Sequence, residues 1–125
     1  MNLHLDLTNS TDRAIGGKLT KNGFHVEPSC SGSVEGPRPE DDGKEGKLEI
    51  FIPGHSTGLL AASLVNQSES TSATVVGGYA GDPSGTTVLA PGQSLTLDRF
   101  VSDAEAKGVW VITGAAEPAG AAEPA

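Results

Sequence analysis

The most reactive-looking string in this 125-residue chain is Gly54-His55-Ser56-Thr57-Gly58. It fits G-x-S-x-G, the turn on which some hydrolases raise a serine nucleophile at the end of a strand. That chemistry needs a histidine general base, which in those hydrolases follows the serine in the chain. His4, His25 and His55 are the only histidines, and all precede Ser56. The hydrolase fold also needs strands alternating with helices, a pattern this chain lacks. The string therefore reads as a Pro-Gly turn followed by small polar residues. No catalytic residue is assigned, and the chain is expected not to be an enzyme.

Metal chemistry is no better served. His4, His25, His55 and Cys30 share no ligand spacing. Glu40-Asp41-Asp42-Gly43 offers the hard oxygens that calcium takes, but without the alternating ligand positions of a dedicated calcium loop. A solvated acidic loop is the better reading, so no metal or cofactor is expected. Glu40, Asp41 and Asp42 stay as candidate partner contacts, together with Trp110 and Tyr79. Trp110 sits in the run Val109-Trp110-Val111-Ile112, where core packing is preferred and ligand stacking is the sharper alternative. Asn9-Ser10-Thr11 and Asn66-Gln67-Ser68 both fit the N-x-S/T sugar-acceptor pattern. Without a recognisable secretory leader they carry little weight. Cys30, flanked by serines, reads as an incidental thiol that forms no internal disulfide.

Sixteen acidic against eight basic side chains give a formal charge of −8. A chain this acidic repels phosphates, so nucleic acid is not an expected partner. No apolar run approaches the ~20 residues of a membrane helix, and no signal peptide is read at the start. One domain is expected at this length, on a virion surface or in the cytoplasm.

Alternation supplies the elements. Leu3, Leu5 and Leu7 alternate with His4, Asp6 and Thr8, the period-two pattern of a half-buried strand. A second strand runs from Ala14-Ile15 to Thr20, an Asn22-Gly23 turn follows, and Phe24 to Glu27 returns as a hairpin. Lys47 to Ile52 alternates again and ends at Pro53-Gly54. Leu59 to Val65 reads as a strand rather than two helical turns. Further strands are expected at Ala73–Val76, Thr86–Leu89, Ser94–Phe100 and Val109–Thr113, with one capped helical turn at Ser102–Lys107. Residues 28–46 hold three prolines, four glycines and five acids against two bases, and read as a long acidic loop. Residues 114–125 repeat the hexapeptide Gly-Ala-Ala-Glu-Pro-Ala and read as a flexible tail. Pro53-Gly54-His55-Ser56 and Pro91-Gly92-Gln93-Ser94 share a P-G-x-S core. Either half the chain is duplicated or the commonest turn formers coincide; coincidence is preferred. The expectation is an all-β domain over 1–113, an antiparallel β-sandwich or small barrel of seven to eight short strands.

Two resemblances sharpen this. Thr87-Val88-Leu89-Ala90-Pro91-Gly92-Gln93-Ser94-Leu95-Thr96-Leu97 followed by Val109-Trp110-Val111-Ile112 resembles β-sandwich modules of phage virion proteins, such as head-decoration (cement) proteins and tail-fibre domains. That resemblance implies a structural protein acting by protein–protein assembly, as a homo-oligomer (a trimer first) bound to a capsid or fibre. Leu5 through Ile15 is similar to the opening strand and turn of aegerolysin-like sandwiches, which implies a lipid- or glycan-binding module instead. That family is rich in tryptophan and tyrosine, whereas this chain has one of each. A lipid-binding face without aromatic anchors is physically weak, so membrane contact is not expected.

Overall fold

A computed structural model describes residues 2–37 and 45–114. Those residues form nine strands and no helix: β1 (Asn2–Thr11), β2 (Ile15–Leu19), β3 (Asn22–Val26), β4 (Cys30–Pro37), β5 (Glu45–Asn66), β6 (Ala73–Tyr79), β7 (Gly85–Leu89), β8 (Ser94–Thr96) and β9 (Arg99–Gly114). All pairings are antiparallel, and the sheet does not close into a barrel.

The sandwich is built by two long bent strands. The first part of β5 lies between β2 and β9 in the order β3-β2-β5-β9-β6-β7. Its second part pairs with β1 on one side and with the start of β9 and then β8 on the other, and β1 pairs with β4. The change of layer falls at Pro53–Thr57, where the β5–β9 register shifts twice. Bulges bend a strand and re-aim it, which is what passing between layers requires. His55 and Asp103 take up positive φ (65° and 51°) at this bend and meet across it, with His55 Nδ1 3.1 Å from Asp103 Oδ1.

The strict alternation read in β1 and β5 is the alternation of the fold. Leu3, Leu5, Leu48, Ile50, Ile52 and Leu64 are fully buried in one core, each contributing about 1.5–3 kcal/mol of apolar transfer. Five local expectations are corrected. The strand expected over Ser94–Phe100 is broken at Leu97-Asp98, which separate β8 from β9. The hairpin turn is Thr20-Lys21, because Ile15 opposite Val26 and Leu19 opposite Asn22 fix a register that leaves only those two residues unpaired. Pro53-Gly54 does not end a strand but lies within β5. The turn expected at Ser102–Lys107 is extended, since Ala104 and Ala106 pair with Ser56 and Ile52. The expected loop 28–46 contains the eight-residue strand β4. Its inward side carries Gly32 and Gly36, where a Cβ would stand 3.0 Å from Val26 Cγ2 and 2.9 Å from Leu19 Cγ. Neighbouring side chains fill that space, so Val34 is the one large apolar side chain on the inward side and β4 shows no run of alternation to read. The acidic Glu40, Asp41 and Asp42, and the repeat from Ala115 on, lie outside the described residues.

The chain does carry an internal repeat. Asn9 and Asn66, both fully buried, hold equivalent places at the ends of β1 and β5. Asn9 Nδ2 donates to Arg13 O (2.8 Å) and Val26 O (3.0 Å), while Asn66 Nδ2 donates to Thr71 O (2.9 Å) and Leu89 O (2.8 Å). Each Oδ1 accepts the backbone N–H two residues on, from Thr11 at 2.9 Å and Ser68 at 3.0 Å. Ser29 N donates to Asn9 O and Gly92 N to Asn66 O. The turn Pro28-Ser29-Cys30-Ser31 is thus the counterpart of Pro91-Gly92-Gln93-Ser94. The P-G-x-S match with Pro53 is coincidental. The two N-x-S/T strings are the anchors of the repeat, with their amide nitrogens spent on backbone carbonyls.

Candidate functional site

Ser56 is fully buried and donates from Oγ to Pro53 O at 2.6 Å, a bond that pins the bend between layers. His55, adjacent in sequence, reaches out to Asp103 rather than toward that hydroxyl. His4 stands on the outer side of β1 with Nε2 2.9 Å from Asp6 Oδ1 and Nδ1 3.1 Å from Glu35 Oε2. The Asp6 hydrogen bond leads in raising its pKa above the ordinary 6.5, assisted by Glu35 and opposed by partial burial. His25 pairs with Glu27 at 2.6 Å. Cys30 is exposed and unbridged. Among the described residues no cluster of His, Cys, Asp or Glu is arranged to hold a metal ion, and no helix is long and apolar enough to cross a membrane.

Trp110 and Tyr79 come together, but in the core. They are 4 % and 6 % exposed, with ring centroids 5.0 Å apart and planes at 87°, an edge-to-face pair. Gly108 makes room: a Cβ there would fall 2.4 Å from the indole Cη2. Tyr79 donates its hydroxyl to Leu97 O at 2.6 Å, tying the two layers together. Burial pushes the phenol well above its ordinary 10.0, with only partial relief from Arg99. The Arg99 guanidinium lies 5.1 Å from the ring centroid and ion-pairs with Asp82 at 2.6 Å. Neither ring offers a free face to a ligand.

What the fold does expose is a surface that sequence reading had missed. In the last three strands of the six-strand layer, residues 108–114 of β9, 73–79 of β6 and 85–89 of β7, no side chain is acidic, basic or imidazole. Alternation sends Ile112, Val75, Ala73 and Leu89 inward. The outward positions are Val109, Val111, Thr113, Thr74, Val76, Gly78, Thr86 and Val88. Register places Val76 beside Val111 and Thr86, and Val88 beside Thr74. Val88 is 58 % exposed. Lys47, Glu49 and Lys107 bound this face on the β5 side. A signal existed in the sequence: three strand-forming segments, 73–79, 85–89 and 108–114, free of charge in a chain carrying 24 formal charges. Only the pairing order showed them to be neighbours.

The opposite layer presents a different outer surface. Thr8, Ser31, Ser33, Ser63 and Thr96 are outward, with the His4 group at one end. At the other end Leu59 faces Phe100 in register, and Phe100 is 66 % exposed. The chain matches no protein-family profile, no curated protein and no solved structure.

Proposed function

We propose that this chain is a non-enzymatic structural protein that acts by protein–protein assembly on the surface of a larger particle such as a virion. The observation that carries the reading is the uncharged Val/Thr/Gly face of β9, β6 and β7. An apolar, charge-free surface rimmed by charged residues is the composition of an interaction site rather than of a solvated wall. The reactive side chains support it from the other direction. The serine of the G-x-S-x-G string pins a bend, and the two large aromatic residues pack the core.

The test is direct imaging. Particles purified from cells that make the chain are labelled with an antibody against it and viewed by negative-stain electron microscopy. Regular decoration is expected. Turnover of a defined small molecule by the purified chain, abolished by one substitution, would overturn the proposal. A second reading, a lipid- or glycan-binding module, draws on the exposed Phe100 beside Leu59. Vesicle sedimentation and a glycan array, both blank, would remove it.

A further inference from the structure

We infer that β7 is the strand through which two copies of this chain join, edge to edge and antiparallel, into one continuous sheet. The inference deepens the assembly reading and rests on it. A terminal strand presents unpaired backbone N–H and C=O groups, and folds commonly blunt such edges with charges, proline, shortness or a cover. Among the described residues three of the four sheet edges are blunted. β4 carries Glu35 and Pro37, β8 is three residues long, and β3 carries His25 and has β4 packed against it at Val26. Asn22 Nδ2 also donates to Glu35 O across that contact. β7 reads Gly85-Thr86-Thr87-Val88-Leu89, with neither charge nor proline. Among the described residues it has β6 on one side and no ladder partner on the other.

Charge identifies the occupant. Two copies at −8 repel over most of their surfaces, and β6, β7 and the uncharged end of β9 are where they can approach at least electrostatic cost. A strongly basic partner would be drawn to the acidic surfaces instead and would gain nothing here. The strand is also self-complementary. Antiparallel pairing about Thr87 sets Val88 opposite Thr86 of the second copy, and Thr86 opposite its Val88, cross-strand pairs of the kind that stabilise sheets. A two-fold axis through a strand edge closes on itself, so the joined species is a dimer rather than the trimer suggested by the virion resemblance. Five residues make a short ladder, and the association is expected to be weak and concentration-dependent.

Sedimentation velocity on the full chain over a concentration series tests this, alongside Val88→Lys and, on the other layer, Phe100→Lys. Both sites are exposed, so both variants should fold. The expected result is a monomer–dimer equilibrium in which Val88→Lys raises the dissociation constant about tenfold or more, while Phe100→Lys leaves it unchanged. The wild-type equilibrium should tighten with added salt, which screens the repulsion. Hydrogen exchange at residues 85–89 should slow as concentration rises. A wild-type chain that stays monomeric, a Val88→Lys chain that dimerises as well as wild type, or a dimer abolished by Phe100→Lys would each overturn the inference. A monomer that still decorates particles overturns the β7 contact and leaves the assembly reading standing. A β7 dimer that decorates nothing supports the contact and removes the wider reading.

Discussion

In the first half of the molecule β4 runs eight residues along β1 and closes against β3; in the second, β8 stops after three residues and leaves β7 as the outermost strand. The anchors beneath are the same: a buried asparagine bonded to two carbonyls and one N–H, and a proline turn bonded back to it. A repeated scaffold thus keeps its buried hydrogen bonds and varies its outer strands. Unsatisfied buried groups are costly wherever they occur, whereas an edge strand is constrained only by what it must attract or repel.

Four further measurements sharpen or break that comparison. The largest effect is expected where the halves meet, at Leu48 opposite Trp110. Trp110→Ala should cost about 3–5 kcal/mol and Leu48→Ala about 2–5 kcal/mol in denaturant unfolding. A near-neutral Trp110→Ala would show that the indole is not a core element. Asn66→Ala strands Thr71 O, Leu89 O and Ser68 N, and Asn9→Ala strands Val26 O and Thr11 N while Arg13 O keeps the Thr11 hydroxyl, at about 1–3 kcal/mol per group before relaxation. Both should lower stability by similar amounts, and a large inequality would undo the equivalence of the two halves.

Tyr79→Phe belongs to the second half alone and removes the bond to Leu97 O, for about 1 kcal/mol at neutral pH. Because the folded phenol titrates above its ordinary 10.0, wild-type stability should fall as pH rises past that value, where only the unfolded chain ionises. The phenylalanine variant should lose this component of the alkaline slope. The smallest effect is at His4. Its raised folded pKa means a contribution fully present below 6.5 and fading as pH climbs through the folded value. His4→Asn should abolish that fraction of the pH dependence, under about 1 kcal/mol as for other surface pairs. An unchanged unfolding profile would show that Asp6 and Glu35 do not hold the imidazolium.

Much of the fold was legible because its strands announce themselves by alternation. Leu3-Leu5-Leu7 and Leu48-Ile50-Ile52 could face a core in no other conformation with such economy. β4 was illegible because glycines at 32 and 36 flank Val34 on its inward side, leaving a single apolar side chain where alternation would need several. The repeat was illegible as well, since its two copies share asparagine, proline and backbone bonds but little sequence. Of the proposed contact residues, Trp110 lies in the core, as its place in an apolar run suggested, whereas Tyr79, read only as a candidate contact, is buried against it, and the uncharged face went unnoticed.

The order of residues by itself determined that this chain folds as β structure and which side of most strands is buried. Those properties follow from side-chain polarity at period two, a local quantity. The tertiary structure alone decided that β5 and β9 bend through both layers, that Asn9 and Asn66 are counterparts, and that three distant uncharged segments lie side by side with β7 at their edge. Each of these depends on which strand pairs with which, and pairing is settled by long-range packing that no local pattern encodes.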